Sequence, residues 1–137
     1  MRTVRQRRGA LAETVAAHWL TAQGWRLVAR NVKVGKDEID IVALDPDSRG
    51  AVVCVEVRSA RSSNFGSPEE RVDARKVGNL YRAGQAFSRS EIAQGLGVGG
   101  LNVRVDLIAV DFRDSALQVR HLRQLEPPKG RLYSAQE

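Results

Sequence analysis

The stretch Val52-Val53-Cys54-Val55-Glu56-Val57-Arg58 is strand-forming and almost wholly apolar, yet it carries one carboxylate. Such a run belongs in the interior of a sheet. Side chains alternate between the two faces of a strand, so Val53, Val55 and Val57 share one side and Cys54, Glu56 and Arg58 the other. An acid on an apolar strand needs a partner or a task, because an unpaired buried charge is costly. Upstream, Asp37-Glu38-Ile39-Asp40-Ile41-Val42-Ala43-Leu44 repeats the arrangement, with Glu38 and Asp40 on one face and Ile39 and Ile41 on the other. Pairing of the two strands would let Asp40 and Glu56 converge.

The segments around these strands set the architecture. Residues 1–8, with four arginines, read as a basic, frayed arm. From Gly9, Leu11, Ala12, Val15, Ala16, Trp19, Leu20 and Ala22 fall on half a helical wheel, and Gly24 ends the helix. Glu13 lies at the margin of that stripe, where position alone makes it a first-turn acid favoured by the helix dipole. Trp25–Asn31 alternates as a strand, with Trp25, Leu27 and Ala29 opposite Arg26, Val28 and Arg30. Turns at Val32–Asp37 and Asp45–Gly50 then give an antiparallel meander of three strands. Ser67-Pro68-Glu69-Glu70 has the form of a capping box with proline at the first helical position, so a second helix is expected to run on through Val72, Leu80, Ala83, Gly84 and Phe87. Gln94–Gly100 reads as a flexible connector, Val103–Val110 as a strand, and Gln118–Leu122 as a short last strand. Asp106 is expected to pair with Arg104 or cap the sheet. The expected organisation is one α/β domain over residues 9–125, followed by an irregular tail, 126–137.

Composition narrows the function. Twenty-two Lys plus Arg against 16 Asp plus Glu give a net charge of +6, which favours anionic partners, nucleic acid first. A lone Cys54 excludes an intrachain disulfide framework and a cysteine metal cluster. No apolar run approaches membrane-spanning length and no signal-like core follows the basic start, so the expected setting is the cytoplasm. Acids on the first helix and on the second and third strands, if gathered at one end of a sheet, are hard oxygen ligands suited to Mg²⁺ or Mn²⁺. Such an ion polarises a phosphate and lowers the pKa of a bound water, which is the chemistry of phosphodiester hydrolysis. On the residues alone, Asp40 has the competing reading of a surface ion pair with Arg26 or Arg30.

Several stretches together resemble the YraN family of bacterial proteins. They are Gly9-Ala10-Leu11-Ala12-Glu13 with Gly24, Arg30-Asn31, Glu38-Ile39-Asp40-Ile41-Val42-Ala43, Val55-Glu56-Val57-Arg58, Phe65-Gly66-Ser67-Pro68 with Lys76, and Arg104-Val105-Asp106. The family is grouped with the restriction-endonuclease-like PD-(D/E)xK superfamily and is related to archaeal Holliday junction resolvases. The resemblance implies a three-layer restriction-endonuclease-like core: a helix, a three-strand antiparallel meander, a second helix and further strands in one mixed sheet. It implies Asp40, Glu56 and the Val57 carbonyl as ligands of Mg²⁺ or Mn²⁺, with Glu13 completing the catalytic set. The family's lysine falls at Arg58, and arginine stays protonated where lysine can be tuned. Lys76 is the nearest lysine able to replace it. The function expected is a metal-dependent endonuclease on branched or structured DNA, holding phosphates through Arg58, Arg61, Arg75 and Lys76. Resolvase-like relatives act as two-fold dimers, so a homodimer is expected by analogy. The competing expectation is a catalytically inactive DNA-binding or adaptor protein that keeps the fold.

Overall fold

The structure is a computed structural model that describes residues 3–62 and 66–127, without the side chains of Val4, Arg5, Arg8 and Arg71. Five strands form one mixed sheet in the order β1 (Arg26–Val34), β2 (Asp37–Leu44), β3 (Ala51–Ala60), β4 (Asn102–Asp111) and β5 (Gln118–Leu122). β1, β2 and β3 form the expected antiparallel meander, and β5 returns antiparallel to β4. β3 and β4 run parallel, which requires the crossover that carries α2 (Ala74–Ser88) and α3 (Glu91–Gly95). The β1–β2 hairpin closes on two residues, Gly35 and Lys36, and Gly35 supplies the positive φ of 60° that the turn needs.

The sheet separates two apolar layers. α1 (Val4–Ala22) lays Ala12, Ala16, Ala17 and Leu20 on one face against Ile41, Val53, Val55 and Ile108. α2 lays Val77, Leu80, Ala83 and Phe87 on the other against Val42, Cys54 and Val105. Gly84 marks the closest approach of α2 to the sheet: a Cβ there would stand 2.7 Å from Cys54 Sγ and from a Val103 methyl.

Several expectations need correction. The first helix begins at Val4, not Gly9, because Thr3 and Gln6 form a capping box: Thr3 N–H donates to Gln6 Oε1 and Gln6 N–H to Thr3 Oγ1. Residues 4–8 are therefore helix rather than arm, while Met1 and Arg2 lie outside the described residues. Leu11, placed on the apolar half of the wheel, is exposed. β1 runs on to Val34 and bulges between Leu27 and Ala29, so Ala29 packs on the α2 side and not with Trp25 and Leu27. The second helix is broken. Ser67–Glu70 starts only a 3₁₀ turn, Pro68–Arg71, after which Val72 is extended and Asp73 caps a new helix by accepting from Lys76 N–H at 2.9 Å. Part of the supposed connector is helical, since Ser90 caps α3. Of the tail, Glu126 and Pro127 are described and belong to no helix or strand; residues 128–137 lie outside the described residues.

Asp106 has the structural role expected of it, and more partners than expected. It is fully buried beneath α1 and takes both arms of Arg104, His121 Nε2 at 2.7 Å and the Gln124 N–H. Arg104 reaches on to Asp45 at 3.0 Å, tying the end of β2 to β4 across β3, and the rings of Trp19 and Trp25 enclose His121.

Candidate functional site

The acids of β2 and β3 meet where the two strands part. Register pairs run from Ala43↔Val53 to Ile41↔Val55 and stop there. The next residue, Asp40, fills the opening gap: its Oδ2 accepts the Val57 N–H at 2.9 Å in place of a backbone carbonyl. Strict alternation fails at the same step. Ile39 packs in the α2 layer and Ile41 in the α1 layer, so the expected sharing of one face by Ile39 and Ile41 does not hold. Across the ladder, Asn31 takes a left-handed conformation, φ 53°, between the register pairs Arg30↔Ile41 and Val32↔Ile39. Both strands therefore roll over at the Asn31–Asp40 step, and the roll frees the Asp40 carboxylate to turn toward β3.

Glu56 is the partner. It is only 4% exposed and its carboxyl hydrogen-bonds that of Asp40. Two carboxylates in that contact cannot both ionise cheaply. Burial, reinforced by the Asp40 charge, pushes Glu56 up to about 7, although Arg58 and Lys76 pull the other way. Burial also raises Asp40, against the Val57 N–H, the Glu56 hydrogen bond and the Lys76 charge. The two are best regarded as one pair that holds a proton near neutral pH.

Two cations face the pair. Arg58, on the same side of β3 as Glu56, places a guanidinium nitrogen 2.8 Å from Glu56 Oε2. Its Nε is buried without a hydrogen-bond acceptor among the described residues. Lys76, in the first turn of α2, acts on both Asp40 and Glu56 through its charge, and it does so because Asp73 restarts the helix there.

The remaining expected residues are placed as follows. Glu13 lies on α1, 3.9 Å from Arg30, in a depression that ends at Asn31. It thus lies on the α1 side of β1, and among the described residues it does not gather with Asp40 and Glu56 into one acidic cluster. The Arg30 pairing considered for Asp40 belongs to Glu13. Arg61 stands over the Phe112 ring at 4.5 Å, near the C-terminal end of β3, and Arg75 is exposed at the start of α2. Phe65 lies outside the described residues. The sequence reading missed the roll at Asn31 and the depression beside it; an asparagine and a mid-helix glycine, Gly9, were the available signals.

The donor chemistry fits a hydrated hard cation and not a protein-caged one. Asp40 and Glu56 offer carboxylate oxygens whose charge the fold leaves undercompensated, as their raised proton affinity shows. Among the described residues no three His, Cys, Asp or Glu side chains gather closely enough to hold an ion by themselves. Mg²⁺ is commonly bound by one or two carboxylates with water and phosphate completing its shell.

Fold and site together define a mixed α/β protein with a carboxylate pair, Glu56 buried and Asp40 half-buried, at a strand divergence, with an arginine and a lysine acting on it. Comparison with known proteins places it further. The chain matches the uncharacterised protein family UPF0102 over residues 12–110 and belongs to that family. It is 37% identical to a UPF0102 protein of Moorella thermoacetica over 110 residues, covering 80% of this chain and 85% of the relative. It is 38% identical to one from Chlorobaculum parvum over 119 residues, covering 86% and 84%. A relative from Arthrobacter is 40% identical over 118 residues, covering 84% and 92%. Among the described residues no helix is long and apolar enough to cross a membrane.

Proposed function

We propose that the chain is a DNA-binding protein with a restriction-endonuclease-like core, and a Mg²⁺- or Mn²⁺-dependent endonuclease acting on branched or structured DNA. The observation that carries this reading is the Asp40–Glu56 pair: a half-buried and a buried carboxyl in hydrogen-bond contact, both with raised proton affinity, whose charge a divalent cation would neutralise. When bound, the ion supplies Lewis acidity and a nucleophilic water at neutral pH. Asp40, Glu56 and the Val57 carbonyl would hold it. The Val57 N–H fixes the Asp40 carboxylate, so the pair meets the ion without reorganising. Among the described residues Arg58 Nε has no hydrogen-bond acceptor, and a substrate phosphate oxygen would provide one. Lys76 carries the ammonium that the usual motif position lacks, close enough for its charge to lower the proton affinity of both acids. Arg61, Arg75 and the net charge of +6 hold the flanking backbone. A homodimer would match a two-fold branched substrate, and a cytoplasmic setting matches such a substrate.

One observation favours a second reading. Arg58 is tied to Glu56 at 2.8 Å where the related motif has lysine, so the site would be silent if Lys76 does not take over, leaving a binding or adaptor protein. The test is cleavage of single-stranded, duplex, flap and four-way-junction DNA with Mg²⁺ and Mn²⁺. Wild type is expected to cut branched DNA, and Asp40→Ala, Glu56→Ala and Lys76→Ala to abolish cutting. Cutting that survives both acid substitutions overturns the metal-site reading. An inert wild type beside an active Arg58→Lys establishes the silent one.

A further inference from the structure

Gly9 sits inside α1, where glycine costs a helix about 1 kcal/mol relative to alanine. The fold does not need it: among the described residues no atom lies within 4 Å of a Cβ built there, and its φ is not in the left-handed region. What the missing side chain leaves is space. Gly9 and Ala10 form one wall of the depression between α1 and β1, whose volume is about 700 Å³, within the range of small-molecule and nucleotide sites. The rest of the lining is polar and of mixed sense, with the Arg30 guanidinium, the Gln6 and Asn31 amides, the Thr14 hydroxyl and the Glu13 carboxylate.

That chemistry suits a ligand edge with both donors and acceptors. A bare phosphate would meet Glu13, whereas a nucleobase offers exocyclic amines and ring acceptors that amides and a carboxylate can match. Position narrows it further. The depression reaches Asn31, the neighbour of Asp40 across the β1–β2 ladder, about one strand spacing of 5 Å away. The acid pair lies on the α2 side of that step and the depression on the α1 side, and β1 is the edge strand, so a DNA strand crossing that edge would meet both. A base held in a duplex is stacked and paired, and its edge cannot turn into a depression.

We propose that the depression walled by Gly9 and Ala10 and lined by Gln6, Glu13, Thr14 and Arg30 binds one unpaired nucleotide of a DNA strand whose backbone runs on to Asp40 and Glu56. This rests on the nucleic-acid reading above but not on catalysis. It gives a preference for branched DNA a physical source, since unpaired nucleotides occur at branch points.

The test measures binding in EDTA, where metal-dependent cutting is absent, with full-length protein and fluorescently labelled single-stranded, four-way-junction and duplex DNA. Gly9→Leu fills the depression from a helix that tolerates a side chain, and Gly9→Ala reports the helix effect alone. Thermal melting of both variants is expected at or above the wild-type temperature. Gly9→Leu is expected to lose about tenfold in affinity for single-stranded and junction DNA, the worth of one hydrogen-bonded base edge, with duplex affinity unchanged. A folded Gly9→Leu that binds all three as wild type does overturns the proposal, and so does an equal loss on all three. A wild type that binds no DNA overturns the nucleic-acid reading as well.

Discussion

Asp40 and Glu56 are ordinary acids made unusual by a strand that changes face. Glu56 has its pKa raised in the folded chain, so the fold holds a proton that the unfolded chain releases. The stabilisation is full below the ordinary carboxylate range and is lost as pH climbs through about 7. In metal-free buffer, urea unfolding is therefore expected to show stability falling by up to ~3 kcal/mol between pH 4.5 and 8. Glu56→Gln removes one of the two raised carboxyls and leaves the burial shift of Asp40, so its stability should fall much less steeply over that interval. An equal slope in the variant would mean that the pair does not share a proton. Asp106 titrates with the opposite sign. Burial pushes it up, but His121, Arg104 and the Gln124 N–H together outweigh burial and hold it below its usual value, so its contribution is present at neutral pH and lost only in acid. Asp106→Ala takes the partner of buried His121 and two of the hydrogen bonds of Arg104, leaving Arg104 only Asp45, and is expected to cost about 3–5 kcal/mol, read from denaturant midpoints. Of the residue-scale features, the convergence of Asp40 and Glu56 was legible in sequence from acids set on two adjacent apolar strands, although Asp40 alone read equally as a surface ion-pair partner of Arg26 or Arg30. The roll that joins them was not. It depends on one asparagine with φ 53°, a conformation that no alternation pattern encodes.

At the scale of elements, the meander, the crossover helix and the late strands follow from apolar periodicity and turn residues, both of which are local. The helix boundaries did not, because capping signals compete. Ser67-Pro68-Glu69-Glu70 looks like the start of one helix, but Asp73 offers a second cap, and extended, β-branched Val72 separates the two. The break has a consequence for function, since it sets where Lys76 emerges. Asp73→Ala is expected to destabilise the fold by about 1 kcal/mol, in denaturant melts. It should also impair cleavage more than that loss of stability explains, because the turn bearing Lys76 loses its anchor; unchanged cleavage would separate Lys76 from the site. Where α2 crosses the sheet, Gly84→Ala forces a methyl against Cys54 and Val103 and should cost about 1–3 kcal/mol.

At the scale of the whole molecule, charge and topology act together. The sheet carries its acid pair at a strand divergence, in a chain whose net charge of +6 favours anionic partners. DNA affinity should fall steeply with salt, each neutralised phosphate adding about 0.9 to the slope of log K against log salt for duplex; a flat response would indicate a partner other than nucleic acid. Family membership fixes the company the chain keeps, and the chemistry rests on the pair. The most direct measurement is thermal melting at pH 8, with and without Mg²⁺ or Mn²⁺, of wild type and of Glu56→Gln. At pH 8 the pair has given up its proton, so a cation that neutralises the two carboxylates should raise the wild-type melting temperature in a saturable manner and leave Glu56→Gln unmoved. A wild type indifferent to both ions, or a variant stabilised equally, would contradict the assignment of Asp40 and Glu56 as a metal site.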